Sequence, residues 1–140
     1  KYIIGTDGEK MSKSKGNLIN IFLADKKLRK QIMSIETAST PLEDPKETET
    51  CNCFTLYKLL ATEEQVVKME ANYAGGNYGY GHAKQELFEL ICERFKQERE
   101  LYNYYMENLP ELDEKLKIGA DKAQEVAQGV LKRVRERLGY

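Results

Sequence analysis

Three lysines separated by serines lie close to the start of the chain, in the stretch Glu9-Lys10-Met11-Ser12-Lys13-Ser14-Lys15-Gly16-Asn17. Met11 is its one apolar residue, so the stretch predicts neither an amphipathic helix nor a half-buried strand. Ammonium groups are compact charges on flexible stems, and serine adds hydroxyl donors. We therefore expect a mobile, positively charged loop that suits a triphosphate. Composition alone nevertheless favours a solvated charged loop with no ligand, which is what most short lysine runs are.

The composition requires any anion binding to be local. The chain has 140 residues, with 22 lysines and arginines against 23 acidic residues and a net charge of −1. No apolar run approaches the roughly 20 residues that a membrane span needs, and no signal-peptide pattern is present, so we expect no membrane association. The three cysteines are an odd number, which favours a reducing compartment such as the cytoplasm.

Apolar periodicity predicts an all-α fold, an antiparallel helical bundle preceded by a flexible loop. Helices are expected from about Asp25, near Cys51, from Thr62 to Gly75, from about His82 to Asn108 and from about Ala120 to Leu138. Thr62 with Gln65 three residues later fits a capping box, and the Gly75-Gly76 pair is a stop signal. The last helix is expected to turn inward Ala123, Val126, Ala127, Val130, Val134 and Leu138.

Other arrangements of reactive residues do not make a site. The glycines between Gly76 and Gly81 are followed by His82 rather than by lysine and serine or threonine, which excludes a P-loop. Cys51 and Cys53 are separated by one residue, and no matching pair follows, so we expect core cysteines and no metal site.

The segment Lys10-Met11-Ser12-Lys13-Ser14 resembles the second signature motif of class I aminoacyl-tRNA synthetases. The longer string KMSKSKGN is equally similar to the leucine, isoleucine and valine enzymes. The rest of the chain resembles the C-terminal part of bacterial-type tryptophanyl-tRNA synthetases. That resemblance rests on the helix after the loop, on the segment YAGGNYGYGHAK at residues 73–84 and on IGADKA at residues 118–123. It departs from the family at His82-Ala83, where members often carry an aromatic residue before the lysine.

The resemblance implies a piece of a longer enzyme, as the start at Lys1 also indicates, although processing or recombinant expression gives the same start. Residues 1–20 would be the end of the catalytic domain, and residues 21–140 a helical domain that binds the tRNA anticodon. The full enzyme would join tryptophan to tRNA(Trp) with ATP and magnesium, as a cytoplasmic homodimer. The piece alone would hold no cofactor and would be inactive.

The resemblance also implies roles for the loop residues. Lys13 would be the main catalytic contact to the ATP phosphates and Lys10 the second. Met11, Ser12 and Ser14 would complete the phosphate-binding loop, while Lys15 lies outside the motif and would act at most as a long-range charge. The segment from Lys1 to Asn17 is expected to be poorly ordered without nucleotide and the partner domain, while the helical part folds independently.

Two basic groups are candidates for tRNA phosphate contacts. They are Lys26, Lys27, Arg29 and Lys30 after the loop, and Arg133 and Arg137, with Lys132 and Arg135 beside them, near the end of the chain. Each residue taken singly is better explained as part of a solvated face. The residues that read the anticodon cannot be assigned from the sequence.

Two alternatives remain open. One is a fragment of another class I synthetase, of which the tyrosyl enzyme is nearest in fold. The other is a non-catalytic helical interaction module that has kept the fold.

Overall fold

The computed structural model describes residues 2–139. Across that range the chain forms helices and no strand, apart from one antiparallel β-bridge between Ile4 and Lys10. The helices are α1 (Asp25–Met33), α2 (Asn52–Lys58), α3 (Glu63–Gly75), α4 (Tyr80–Arg94), α5 (Lys96–Glu107) and α6 (Leu109–Leu138). The chain divides into two compact units, the first ending at Arg99 and the second beginning at Glu100. The predicted all-α class is confirmed.

The first unit has its core where α1 and α2 pack against α4. Leu28 and Ile32 of α1 are fully buried, as are Ala83 and Leu87 of α4. Burying one such leucine or isoleucine side chain stabilises the fold by about 1.5–3 kcal/mol, so these faces fix how the helices pack. The helical spacing of the apolar residues predicts these buried faces correctly.

Helix α3 begins as its sequence predicts. The Gln65 backbone N–H donates to the Thr62 hydroxyl at 3.3 Å, and the Thr62 N–H donates to Gln65 Oε1 at 2.9 Å. This reciprocal pair is the capping box, and it satisfies two N–H groups that a helix N-terminus otherwise leaves without a partner. The helix then buries Met69 and Tyr73.

The cysteines at the start of α2 belong to the core. Cys51 and Cys53 are buried free thiols, and the Cys51 sulfur lies 3.4 Å from the Tyr73 hydroxyl. Burial raises the pKa of the Cys53 thiol to about 12, so it stays protonated and unreactive near neutral pH. Within residues 2–139 no cluster of histidine, cysteine or acidic side chains could hold a metal ion.

Three predicted features of the later helices are wrong. The expected helix from His82 to Asn108 is interrupted at Phe95, whose φ of −108° and ψ of 22° leave the helical region. Helix α6 begins at Leu109 with Pro110 in its first turn and runs through Gly119, so it does not start at Ala120. Helix α6 also has no buried residue, because the second unit holds only α6 and the end of α5, and two helices do not enclose a core.

None of the helices that the structure describes is both long enough and apolar enough to cross a bilayer.

The end of α3 gives a test of the fold with a matched control. Gly76 has φ 69° and ψ 179°, a region that glycine alone readily adopts, and a Cβ there would lie 2.3 Å from the Glu43 carbonyl oxygen. We expect Gly76→Ala to lower the free energy of unfolding by about 2–3 kcal/mol. Gly75→Ala, which adds a methyl group to open space, should stabilise the chain by up to ~1 kcal/mol. Urea unfolding of both variants measures the difference; equal effects would contradict this account of the α3 end.

Candidate phosphate-binding loop

A tight turn sets the position of the first lysine of the motif. The Gly5 N–H donates to the Glu9 carbonyl at 2.7 Å, and the Met11 N–H donates to the Ile3 carbonyl at 2.9 Å. These bonds hold the backbone of Lys10 beside Ile4, where the β-bridge forms. The motif therefore begins from a fixed backbone and not from a free terminus.

Asn17 closes the loop from its other end. The residue is only 3% exposed, and its side chain makes three hydrogen bonds. Its Oδ1 accepts from the Ser12 N–H at 2.8 Å, while its Nδ2 donates to Asp7 Oδ1 at 2.7 Å and to the Lys10 carbonyl at 3.2 Å. One amide therefore joins the turn before the motif, the first motif residue and the third.

The hydrogen bond from Asn17 also affects Asp7. It is the main cause that lowers the pKa of the Asp7 carboxyl, with a smaller contribution from the Glu9 backbone N–H. A lowered pKa keeps this carboxylate ionised, and therefore able to accept both bonds, at every pH near neutrality.

The base of the loop is attached to the helical core. The Thr6 N–H donates to the Asn17 carbonyl at 3.0 Å, and the Thr6 carbonyl accepts from the Glu36 N–H at 2.7 Å, just after α1. Asn52, the first residue of α2, donates from its side chain to the Glu36 carbonyl at 3.1 Å. The turn and the closing asparagine are thus connected to the end of α1 and the start of α2.

Met11 provides an apolar contact for the same base. Together with Ile3 it lines an apolar cavity whose other walls include Leu56 of α2 and Leu87 and Ile91 of α4. The single apolar residue of the motif therefore lies toward the helices, and the polar residues of the motif are left to face water.

The three lysines differ in their surroundings. All three are exposed, but Lys15 lies 3.8 Å from the Glu9 carboxylate. Among residues 2–139 no carboxylate lies within ion-pair distance of Lys10 or Lys13. An anion that approaches the loop therefore meets two ammonium groups without a counter-ion and a third that is partly neutralised.

Ser12 and Ser14 already form hydrogen bonds within the loop. The Ser12 backbone N–H is already bonded to Asn17, so in this conformation it is not available to a phosphate. The Ser12 and Ser14 hydroxyl oxygens lie 2.8 Å apart, and either could be the donor. The groups left for a ligand thus include the two hydroxyls and the ammonium groups, a set suited to a polyphosphate.

The tip of the loop is a short turn. The Gly16 N–H donates to the Lys13 carbonyl at 3.2 Å, and Gly16 has a φ of 71°. A Cβ at Gly16 would meet no atom within 4 Å beyond its chain neighbours, and the other contacts of the tip are the exposed Ser12–Ser14 hydroxyl pair and the Lys15–Glu9 ion pair. Movement of the tip when nucleotide binds stays a prediction.

The candidate tRNA contacts lie in different units. Lys26, Lys27, Arg29 and Lys30 are exposed on α1, where the Arg29 side chain donates to Gln85 Oε1 at 2.9 Å. Arg133 and Arg137 are exposed on α6, in the second unit. The exposure of both groups is compatible with binding tRNA, which stays a prediction.

Sequence reasoning assigned no role to Asn17 or Asp7. The only sign of Asn17 in the sequence is its place directly after the glycine that ends the lysine-rich stretch. Its burial and its three bonds depend on the turn from Gly5 to Lys10, which no periodicity predicts.

Comparison with known proteins places this loop in a family. Residues 1–96 match the family model described as tRNA synthetases class I (W and Y). A tryptophan–tRNA ligase of Campylobacter jejuni is 46% identical over 137 residues, which are 98% of this chain and 43% of that protein. A tryptophan–tRNA ligase of Fusobacterium nucleatum is 41% identical over 96% of the chain and 41% of its own length.

Solved structures agree with the sequence comparison. The crystal structure of tryptophanyl-tRNA synthetase from Campylobacter jejuni in complex with ADP and tryptophan matches with a TM-score of 0.94 at 45% identity. The match covers the whole chain and 44% of that structure, so the chain spans less than half the length of the relatives it resembles. The chain belongs to the class I tRNA synthetase family of the tryptophan and tyrosine enzymes.

Proposed function

We propose that the chain is the C-terminal part of a tryptophan–tRNA ligase and supplies two of its components. One is the loop from Lys10 to Ser14, which contacts the ATP phosphates. The other is the helical part that follows residue 20, which binds tRNA(Trp). The motif and the 46% identity to a tryptophan–tRNA ligase over 98% of the chain support this proposal.

The reaction explains why the loop carries lysines. In tryptophan activation the amino-acid carboxylate attacks the α-phosphorus of MgATP, and magnesium pyrophosphate leaves. Negative charge moves toward the leaving group in the transition state, so an ammonium group at that place binds the transition state more tightly than ground-state ATP. Lys13 is the main contact, Lys10 supports it, and the Ser12 and Ser14 hydroxyls donate hydrogen bonds.

One observation carries the assignment of these roles. Lys10 and Lys13 are exposed without a carboxylate partner among the described residues, whereas Lys15 is paired with Glu9. The two lysines of the motif are therefore the ones free to meet phosphate without first breaking an ion pair.

Tryptophan is favoured over tyrosine as the substrate. The family model covers both enzymes, but the relatives at 46% and 41% identity are tryptophan–tRNA ligases, and one matched structure holds tryptophan. A non-catalytic interaction module is less consistent with a complete Lys10–Ser14 motif on an ordered base.

The remaining features of the proposal concern the full-length enzyme. Magnesium enters with ATP as part of the substrate, and no residue of the described range is assigned to hold it. We expect a cytoplasmic homodimer. The helices after residue 20 bind the tRNA, with Lys26, Lys27, Arg29, Lys30, Arg133 and Arg137 as candidate phosphate contacts.

The first test removes the main lysine from the full-length enzyme. Lys13→Ala should lower the rate of tryptophan-dependent pyrophosphate exchange about a hundredfold, since one transition-state contact of this kind supplies about 3 kcal/mol. Lys15→Ala is the matched control, because it removes an equal charge two residues away. It should lower the exchange rate by less than about threefold. Equal losses would mean that the loop acts only through its total charge; no loss in either variant would refute the proposed role.

The second test uses the purified chain itself. We expect no tryptophan-dependent pyrophosphate exchange above background, because the proposal places the tryptophan pocket and most of the adenine site outside it. Full-length enzyme assayed in parallel is the control. Exchange at a rate comparable with that enzyme would show that this chain contains a complete active site.

A third test concerns tRNA. Binding of the purified chain to tRNA(Trp) should weaken as salt rises, and replacing both Arg133 and Arg137 by alanine should make the logarithmic salt slope less negative by about 1.4–1.8 if each contacts one phosphate. Lys68→Ala, an exposed lysine on α3, should leave the slope unchanged. Fluorescence anisotropy with labelled tRNA measures the slope; an unchanged slope in the double variant would remove these arginines from the interface.

A further inference from the structure

We propose that Asn17 is a positioning residue for tryptophan activation. Its buried side-chain amide fixes the backbone at Lys10 and Ser12, and this sets where the Lys10 and Lys13 ammonium groups lie when nucleotide binds. This inference rests on the proposed function of the loop, and it assigns to Asn17 a role that does not involve contact with ATP.

The geometry separates the loop into a fixed part and a free part. The Lys10 carbonyl and the Ser12 N–H are both bonded to the Asn17 amide, at 3.2 and 2.8 Å. Lys13, Ser14 and Lys15 lie between these attachments and Asn17 itself, and they are exposed. The side chain of Asn17 therefore decides at which residue the restrained backbone ends and the tip begins.

Asn17 is well held in its place. Its carbonyl accepts from the Thr6 N–H at 3.0 Å, and Gly5 packs so closely that a Cβ there would lie 2.4 Å from the Asn17 carbonyl oxygen and 2.5 Å from its Cγ. A larger residue at position 5 would push the amide away. With 3% exposure, the amide also has little water to replace a lost partner.

Both ends of the amide are needed, which makes the arrangement specific to asparagine. Oδ1 must accept from a backbone N–H, while Nδ2 must donate to a carboxylate and to a carbonyl. Aspartate keeps the acceptor for Ser12 but loses the donor, and it places a second carboxylate against Asp7. The asparagine–aspartate pair at positions 17 and 7 can therefore be exchanged to test the contact.

The reason to expect an effect on rate is that catalysis depends on small displacements. A catalytic group misplaced by about 1 Å can cost about a hundredfold in rate. Without the Asn17 amide, the backbone from Lys10 to Gly16 gains freedom, and the two lysines occupy the productive position for a smaller fraction of the time.

The experiment uses the full-length enzyme with Asn17→Ala, Asn17→Asp and the double variant Asp7→Asn with Asn17→Asp. We expect both single variants to lower kcat for pyrophosphate exchange about 10- to 100-fold, with the KM for tryptophan changed less than twofold. Transfer of tryptophan from preformed adenylate to tRNA should stay within twofold, because the pyrophosphate has already left at that step. The double variant should recover at least threefold over Asn17→Asp, since the amide introduced at position 7 would donate to the carboxylate introduced at position 17. Recovery should be partial, because the Lys10 carbonyl still lacks its donor and the Glu9 N–H shares its acceptor position with the new amide.

A merely structural role predicts a different pattern. Loss of folded enzyme would lower exchange and transfer by the same factor, and counting active sites by titration would remove the difference. Such an equal loss, or a kcat within twofold of the unaltered enzyme, would overturn the proposal. If Asn17→Ala does not fold, the comparison of Asn17→Asp with the double variant decides. Additive effects of the two substitutions on kcat would then overturn the proposal.

Lys13→Ala, measured beside these variants, separates the two hypotheses. A large loss in Lys13→Ala with none in the Asn17 variants refutes the positioning role and leaves the proposed function intact. No loss in Lys13→Ala refutes the function of the loop, and with it the reason for positioning it.

Discussion

The arrangement of the lysine loop depends on the burial of one amide. Asn17 is almost completely removed from water, so each of its polar atoms requires a partner within the protein. Those partners are the Ser12 N–H, the Lys10 carbonyl and the Asp7 carboxylate, which lie 5, 7 and 10 residues before Asn17 along the chain. The cost of leaving any of them unbonded is what gives a polar, glycine-containing stretch a defined backbone.

The helical core below the loop makes that burial possible. The contact of Thr6 with Glu36 attaches the turn to the end of α1, and Met11 lies against the apolar cavity beside α2 and α4. The fully buried residues of α1 and α4, such as Leu28 and Leu87, hold these helices together. Packing in the core thereby fixes the backbone from which the lysine side chains extend. The core residues themselves lie outside the loop.

The sequence predicts the features that have a local cause. The capping box at Thr62 and the glycine stop after α3 depend on residues within one turn of each other, and the buried face of α1 follows from its 3.6-residue period. The phosphate chemistry proposed for Lys10–Ser14 depends instead on the family resemblance of the motif, and it stays a prediction. The outward position of Lys10 and Lys13 is consistent with that chemistry.

Features with a distant cause are not predictable in this way. Lys46 is 6% exposed, and its ammonium group donates to the carbonyls of Pro41, Leu42 and Asp44, although no residue pattern around it marks a lysine that is buried. The interruption at Phe95 carries no glycine or proline. The exposed apolar residues of α6 show the same limit, since periodicity indicates which face of a helix is apolar but not whether another element covers it.

The near-neutral charge of the chain explains why position matters so much for this loop. A net charge of −1 provides no general attraction for a polyanion, and exposed charges are screened beyond about 8 Å at physiological salt. Lys10 and Lys13 can therefore act on a phosphate only at short range, where the interaction depends steeply on distance. A chain with a strongly basic surface could tolerate a loosely held loop, whereas under the proposed function this loop needs its cations held on a fixed base, which is the role proposed for the Asn17 amide.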